Sequence, residues 1–127
     1  MFTDAQRPLY EVKANLFKGL AHPVRVRVLE LLSAAPEASV ADLLADLGLE
    51  PSHLSQHLAV LRRHHLVTAE RRASLVFYRL AYPEVADLLR VARSLLGEVL
   101  HTTQDQLAAT AALPDASAPA SREAVTS

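Results

Sequence analysis

The chain has 127 residues, of which 50% are hydrophobic and 21% are charged, and its formal net charge at pH 7 is -1. This length and composition fit one globular domain with a modest core. Cysteine is absent, which excludes disulfides, thiolate metal sites and a cysteine nucleophile. No run of about eighteen apolar residues occurs, and the N-terminus lacks the order of a secretory signal, so we expect a cytoplasmic protein that does not enter a membrane.

Two helices are predicted at the start of the chain. Apolar residues at helical spacing predict an amphipathic first helix over residues 5–20, ending near Gly19. A second, mostly buried helix is predicted over residues 23–33 and opens at Pro23. His22, directly before this proline, is interpreted as a capping or core residue rather than as a metal ligand.

The next two helices form a recognisable pair. Ser39 and Asp42 have the spacing of a capping arrangement, and a short third helix follows them until Gly48. A fourth helix begins at Pro51 and turns its leucines inward and a polar face outward. A short helix, a tight turn with glycine and a second helix with a polar outer face make the helix-turn-helix pattern. The polar face consists of Ser52, His53, Ser55, Gln56, Ala59, Arg62 and Arg63.

A β-hairpin is predicted directly after the fourth helix. Residues 66–71 and 75–80 are rich in β-branched and aromatic residues, and the small polar turn Ala73-Ser74 separates them. A hairpin in this position is a wing. Arg71 and Arg72 lie near its tip, where they would reach the phosphate backbone of a nucleic acid.

Positive charge is concentrated in one part of the chain. Residues 51–79 contain five arginines against the single acid Glu70, an excess of four positive charges, so the remainder of the chain carries -5. Four of the six histidines also lie here, so the positive potential grows as pH falls through roughly 6.5. The pattern indicates a polyanionic partner. These histidines are His53, His57, His64 and His65.

The fourth helix and the hairpin supply the candidate DNA contacts. Short hydroxyls, an amide and imidazoles can hydrogen-bond to base edges and phosphates, although such residues are also common on solvated surfaces. The arginines are predicted to contact phosphates; the alternatives are solubility or pairing with Glu70. Arg79 is predicted to alternate onto the strand face opposite to the tip arginines, so it is not included among the DNA contacts. The predicted DNA-binding residues are Ser52, His53, Ser55, Gln56, His57, Arg62, Arg63, Arg71 and Arg72.

A long helix and a tail complete the chain. Residues 83–112 carry apolar side chains at a spacing close to a coiled-coil seam, more than so small a domain can cover, so we expect a homodimer. Residues 114–127 are rich in Pro, Ala and Ser without periodicity and are predicted to be a disordered tail. Residues 1–113 then form the DNA-binding and dimerisation domain.

Three motifs in this order resemble the ArsR/SmtB family of bacterial winged-helix repressors: residues 20–29 (LAHPVRVRVL), 51–61 (PSHLSQHLAVL) and 76–80 (VFYRL). The resemblance implies a mainly α fold with a small β-hairpin, a winged helix-turn-helix that dimerises through its first and last helices. It implies that the recognition helix carries Ser52, His53, Ser55, Gln56 and His57. It also implies repression at a palindromic operator, released when an effector, usually a metal ion, binds.

The sensing motifs of the resembled family are missing. Where many members have Cys-x-Cys at the start of the third helix, this chain has Ser39-Val40-Ala41-Asp42, and the metal-ligand pattern of the last helix is broken. His101 and Asp105, at i and i+4, would face one way and could bind nickel or zinc together with a second pair across the dimer axis. Such a pair also arises by chance, and no cofactor is otherwise indicated. The alternatives are signalling through a partner protein and constitutive DNA binding.

The remaining motifs are not those of an enzyme. Gly19, Gly48 and Gly97 are too far apart for a phosphate loop, and neither His-Glu-x-x-His nor Gly-x-Ser-x-Gly occurs. His64 and His65 end the fourth helix, where cations favour the helix dipole, so we interpret them as structural. A rival hypothesis from another class is a dimeric protein-protein interaction module without direct DNA binding. Salt-dependent affinity for DNA separates the two.

Overall fold

The structure is a computed structural model that describes residues 3–112, so the tail predicted over residues 114–127 lies outside the described residues. These residues form five helices and three short strands, and the fold is the mainly α winged helix-turn-helix that the motifs predicted. In chain order they are α1 (Arg7–Leu20), α2 (Pro23–Ala34), β1 (Ala38–Ser39), α3 (Val40–Leu47), α4 (Pro51–Arg63), β2 (Val67–Arg72), β3 (Leu75–Leu80) and α5 (Glu84–Ala112).

Local side-chain chemistry explains where the helices begin and end. The Ser39 hydroxyl accepts from the Asp42 backbone N–H at 3.0 Å while the Asp42 carboxylate accepts from the Ser39 N–H at 3.2 Å, a complete capping box for α3. Gly48 ends α3 in the left-handed conformation, with φ of +64°. His22 caps α2, since its Nδ1 accepts from the Val24 backbone N–H. The predicted capping roles of Ser39, Gly48 and His22 are therefore confirmed.

The predicted hairpin is confirmed and belongs to a three-stranded antiparallel sheet of order β1-β3-β2. Val67 pairs with Leu80 at its base and Arg72 with Leu75 at its tip. β1 was not predicted from the sequence. It is only two residues long, and its pairing with Phe77 and Tyr78 of β3 depends on how the chain folds back.

The core lies between the helix-turn-helix and one face of the sheet. α4 contributes Leu54, Leu58 and Leu61 to it, as predicted, and each of the three is buried. An ion pair at the surface also ties α2 to α3, because Arg27 donates to both carboxylate oxygens of Asp46 at 3.0 and 2.8 Å. The other buried hydrophobic residues are Val28, Leu29, Leu32, Leu43, Leu66, Val67, Tyr78, Val85 and Leu89.

The chain divides into two compact units, one ending at Leu89 and one starting at Arg90. In the second unit α5 exposes a stripe of apolar side chains, here called the α5 seam. The seam consists of Val91, Leu95, Leu96, Val99, Leu100 and Leu107. Among the described residues, no helix is both long enough and apolar enough to span a bilayer.

Gly48→Ala is expected to lower the free energy of unfolding by about 1 kcal/mol, because a Cβ is disfavoured at positive φ even in open space. Gly97→Ala is the matched control: it adds the same methyl to open space inside α5, and there we expect a gain of about 0.5–1 kcal/mol. Urea denaturation measures both. Equal effects of the two substitutions would contradict the role of φ.

Candidate nucleic-acid interface

The second helix of the helix-turn-helix presents a polar face to solvent. Its leucines occupy one side of α4, and at about 100° per residue Ser52, Ser55 and Gln56 lie on the other. All three are exposed, and within the described residues none of these side chains makes a hydrogen bond. Pro51 is the first residue of α4, so the three residues lie in its first two turns. In a helix-turn-helix, this end of the second helix is the part that contacts base edges.

The two histidines of α4 lie at the flank of this face and differ in environment. His53 is exposed, whereas His57 is half-buried against α2. The His57 ring lies 4.2 Å from the His22 ring between centroids, and its Nδ1 lies 3.3 Å from Nη1 of Arg25. Burial lowers the pKa of His57 below its usual value, and electrostatic repulsion by the neighbouring basic side chains of His22, Arg25 and His53 lowers it further. His57 is thus on the predicted helix but is turned toward the protein.

The arginines at the end of α4 are both exposed, and neither forms an ion pair within the described part of the chain. Arg63 lines a surface cavity of about 570 Å³ together with Val12 and Lys13 of α1. At about 1.5 Å per residue, Arg62 and Arg63 lie about 15 Å along the helix from Ser52. Their position fits contacts to the phosphate backbone rather than to the bases read by the first turns.

The two arginines at the hairpin tip are placed differently from one another. Arg71 is exposed and forms no ion pair among residues 3–112. Arg72 forms an ion pair with Glu37, and its guanidinium lies 3.8 Å from the centroid of the Phe77 ring. Glu37 also raises the pKa of Arg72 through their hydrogen bond. Arg71 therefore has its whole guanidinium available for a phosphate, whereas that of Arg72 is partly engaged by Glu37.

Arg79 lies on the strand face opposite to that of Arg71, as predicted, but it shares its face with Arg72, so the prediction that it is turned away from both hairpin arginines was wrong for Arg72. The Nη1 of Arg79 lies 3.7 Å from a carboxylate oxygen of Glu70. The predicted pairing of a hairpin arginine with Glu70 is thus made by Arg79, and by Arg72 at 3.9 Å, but not by Arg71.

Sequence reasoning missed two residues that shape this surface, Arg25 and Glu37. Arg25 stands in α2, 32 positions before His57, and Glu37 stands 35 positions before Arg72. Neither distance has a periodic signal in the sequence. The one local hint is that Arg25 interrupts a valine-rich helix.

The candidate metal ligands lie on the last helix. His101 Nδ1 and an Asp105 carboxylate oxygen are 3.9 Å apart, and both side chains are exposed. At about 100° per residue, the pair lies roughly half a turn around α5 from the centre of the α5 seam. Among the described residues, no group of three or more His, Asp or Glu is placed to hold a metal ion.

Comparison with known proteins fits this architecture. The profile of bacterial regulatory proteins of the arsR family matches residues 22–69. An HTH-type transcriptional regulator of Mycobacterium tuberculosis, Rv0081, is 52% identical over 94 residues, which cover 73% of this chain and 82% of the relative. The chain belongs to the arsR family. Its resemblance to that family, predicted from three motifs, is confirmed.

Other relatives of this arsR-family chain carry names with opposite senses. The biofilm growth-associated repressor of Xylella fastidiosa is 38% identical over 86 residues, 68% of this chain and 74% of the relative. The transcriptional activator HlyU of Vibrio cholerae is 40% identical over 80 residues, 63% of this chain and 73% of the relative. The predicted class, a transcriptional regulator, is confirmed, and this is not a class of enzymes.

Solved structures agree with the fold of the arsR-family chain. The crystal structure of Rv0081 matches with a TM-score of 0.71 and 50% identity, covering 76% of this chain and 96% of that one. The solution structure of Mb0332 from Mycobacterium bovis, described as a homodimeric winged helix-turn-helix DNA-binding domain, matches with a TM-score of 0.70 and 28% identity, covering 80% and 93%.

Proposed function

We propose that the chain regulates transcription by binding a palindromic DNA operator as a homodimer, with α4 of each protomer in the major groove and each wing on flanking phosphates. The observation that carries the proposal is the face of α4, where Ser52, Ser55 and Gln56 are exposed without internal hydrogen bonds while the leucines behind them hold the helix in the core. Unsatisfied, short donors and acceptors on a helix that fits the major groove are suited to base edges.

The exposed apolar surface supports a homodimer. Leu9, Val12 and Phe17 of α1 are exposed, as is the α5 seam. Apolar surface of this extent is a mark of protein association. A twofold dimer places two copies of α4 in successive major grooves, about one helical turn apart, so that its operator is a palindrome. The family relative Mb0332, described as homodimeric, supports the same assembly.

The fold alone does not determine whether transcription is repressed or activated, because relatives are named both repressor and activator. We propose repression, in which the bound dimer occupies the promoter.

The arrangement of His101 and Asp105 gives little support to a metal ion as the signal that releases the DNA. His101 and Asp105 lie on the side of α5 away from the seam, so a dimer formed through the seam keeps its two pairs apart. Two ligands on one chain leave a nickel or zinc ion short of the four that it prefers. A cysteine-based sensor is excluded by composition. We therefore propose that a partner protein supplies the signal, or that binding is constitutive.

Two substitutions test the proposed roles of the helix and the wing. Arg71→Ala is expected to weaken binding to all duplexes and to reduce the slope of log affinity against log salt by about 1, because one phosphate contact is lost. Gln56→Ala is expected to cost about 1–3 kcal/mol of discrimination at particular base pairs and to leave the salt slope unchanged. Gel-shift titrations at two salt concentrations, on a selected palindrome and on random duplex, measure both.

Arg79→Ala is the matched control for Arg71→Ala, because it removes the same charge at a position farther from the hairpin tip, where the guanidinium lies 3.7 Å from a carboxylate oxygen of Glu70. We expect its salt slope to equal that of the wild type. Equal losses on palindrome and random duplex for both Gln56→Ala and Arg71→Ala would refute the assignment. If the wild type shows no salt-dependent affinity for DNA, the chain is instead the dimeric interaction module.

A further inference from the structure

A polar cluster joins α4 to the junction of α1 and α2, and the proposed DNA contacts leave it without a role. Arg25 of α2 makes three bonds at once. Its Nε donates to the Gly19 carbonyl at 2.8 Å and its Nη2 to the Lys18 carbonyl at 3.2 Å, both at the end of α1. Its Nη1 lies 3.3 Å from His57 Nδ1, on α4. One guanidinium therefore links three helices.

The chemistry of the partners fixes the protonation of the two histidines. A guanidinium has donors only, so Nδ1 of His57 must be the acceptor, and the ring is neutral with its proton on Nε2. His22 is constrained in the same way, because its Nδ1 accepts from the Val24 backbone N–H at 3.1 Å. The two rings are in contact and tilted, with an interplanar angle of 41°. The cluster is complete only when both histidines accept at Nδ1.

We propose that His57 is a positioning residue, not a reader of bases: by accepting from Arg25 as a neutral imidazole, it fixes how α4 is rotated against the α1–α2 junction. This rests on the proposed DNA-binding function. The leucines of α4 make nondirectional contacts that tolerate small rotations, whereas a hydrogen bond is directional. His57 is the neighbour of Gln56, so the bond that holds His57 sets where Gln56 points. The link makes base recognition depend on Arg25, although Arg25 is not on the recognition helix.

The surroundings of His57 make this link sensitive to acid. The charged and titratable groups that act on it are His22, which caps α2, Arg25 of α2 and His53 of α4, and α1 ends beside the cluster with Lys18. All of them are basic. A proton on Nδ1 would remove the acceptor and place a like charge against Arg25. The pKa of His57 is lowered chiefly by burial, and repulsion by His22 and Arg25 acts in the same direction.

The direction of the pH effect follows from linkage. The unfolded chain takes up this proton near the ordinary value of 6.5, whereas folded His57 takes it up at lower pH. The stability contributed by the cluster is therefore full above pH 6.5 and falls as pH drops below it. Acid acts in the opposite sense on phosphate binding, because protonated surface histidines add positive charge. The proposal thus predicts that acid weakens base discrimination and not general affinity.

The first test uses the protein without DNA. ¹⁵N NMR of the imidazoles is expected to show His57 as the Nε2–H tautomer at neutral pH, with a pKa below 6.5. Arg25→Lys keeps the charge but loses the planar fork that reaches three acceptors. In this variant we expect the tautomer preference to be lost, whereas burial continues to hold the pKa of His57 below its usual value. A proton on Nδ1 of His57 in the wild type, or an unchanged spectrum in Arg25→Lys, would overturn the proposal.

The second test measures the ratio of affinities for a palindrome, selected by the wild type from a random pool, and for random duplex. His57→Ala is expected to lower this ratio about tenfold at pH 7.5, whereas His57→Gln, whose amide oxygen accepts from Arg25 without titrating, is expected to retain it. From about pH 7.5 to about pH 5.5, the wild-type ratio is expected to fall several-fold and that of His57→Gln to stay level.

His65→Asn is the control for titration outside the cluster. His65 is exposed at φ of +60°, a conformation that asparagine tolerates, so this variant removes a histidine without strain and should keep the wild-type pH profile. Identical profiles for the wild type and His57→Gln, or equal losses for His57→Ala and His57→Gln, would contradict the acceptor role. If the wild type fails to select any palindrome, the proposed function fails, and the tautomer measurement still decides whether Arg25 holds His57.

Discussion

Leu54→Ala is expected to lower the free energy of unfolding by about 2–5 kcal/mol, one of the two largest effects that the structure predicts. Leu54 is 0% exposed and sits on the side of α4 that faces the core. Alanine removes its buried methyl groups and leaves a cavity that the packed neighbours fill only in part. Because small domains are stable by about 5–15 kcal/mol, the loss is a large fraction of the total.

Leu75→Ala makes the same chemical change where the side chain is 51% exposed, at the tip of the hairpin. For this control we expect the free energy of unfolding to fall by no more than about 0.5–1 kcal/mol, since the substitution removes little buried apolar surface. Urea denaturation followed by circular dichroism measures both variants. Similar costs for Leu54→Ala and Leu75→Ala would show that α4 is not anchored through its leucines, and the presentation of its polar face would need another cause.

The parts of the fold that the sequence predicted are those governed by neighbours in the chain. Pro23 and Pro51 begin helices because their missing N–H is not needed in the first turn, and Gly48 ends one because it accepts a positive φ. The capping box of Ser39 and Asp42 spans three positions. Each of these signals acts within one helical turn, so the helix ends were predicted to within a few residues.

What the sequence could not predict depends on contacts between distant segments. β1 exists because residues near Ala38 pair with β3, the central strand of the sheet, and two residues carry no alternation of their own. The ion pair of Arg72 with Glu37 and the bond of Arg25 to His57 join segments more than thirty positions apart. These contacts determine which arginine and histidine side chains are engaged within the protein and which are available to contact DNA.

The candidate site shows the same division. Exposure of Ser52, Ser55 and Gln56 follows from the helical period, so the sequence sufficed for them. Arg71 and Arg72 are identical in type and adjacent, yet strand alternation turns them to opposite faces and only one meets an acid. Their DNA contacts remain predictions. Substitution of Arg71 tests a phosphate contact more directly, because it breaks no ion pair among residues 3–112.

The second large effect is expected from charge placed in the α5 seam. Leu96 is 56% exposed in the described chain, and in the proposed homodimer it lies against the partner helix. Leu96→Glu would bury a carboxylate without a partner, which costs several kcal/mol, so we expect the dimer dissociation constant to rise about a hundredfold or more. A monomer holds one half-site only, and the loss of the second, linked contact is expected to lower palindrome affinity by about 10²–10⁴.

Ser94→Glu is the matched control, because it adds the same charge two positions away on the side of α5 opposite to the seam. Sedimentation analysis of both variants measures the mass, and gel shifts on the palindrome measure the consequence. We expect Ser94→Glu to stay dimeric and to bind as the wild type does. If Leu96→Glu also stays dimeric, the seam is not the interface. The argument that dimerisation separates the two pairs of His101 and Asp105 is then also wrong. If Leu96→Glu is monomeric yet binds the palindrome unchanged, each α4 acts alone and the operator need not be symmetric.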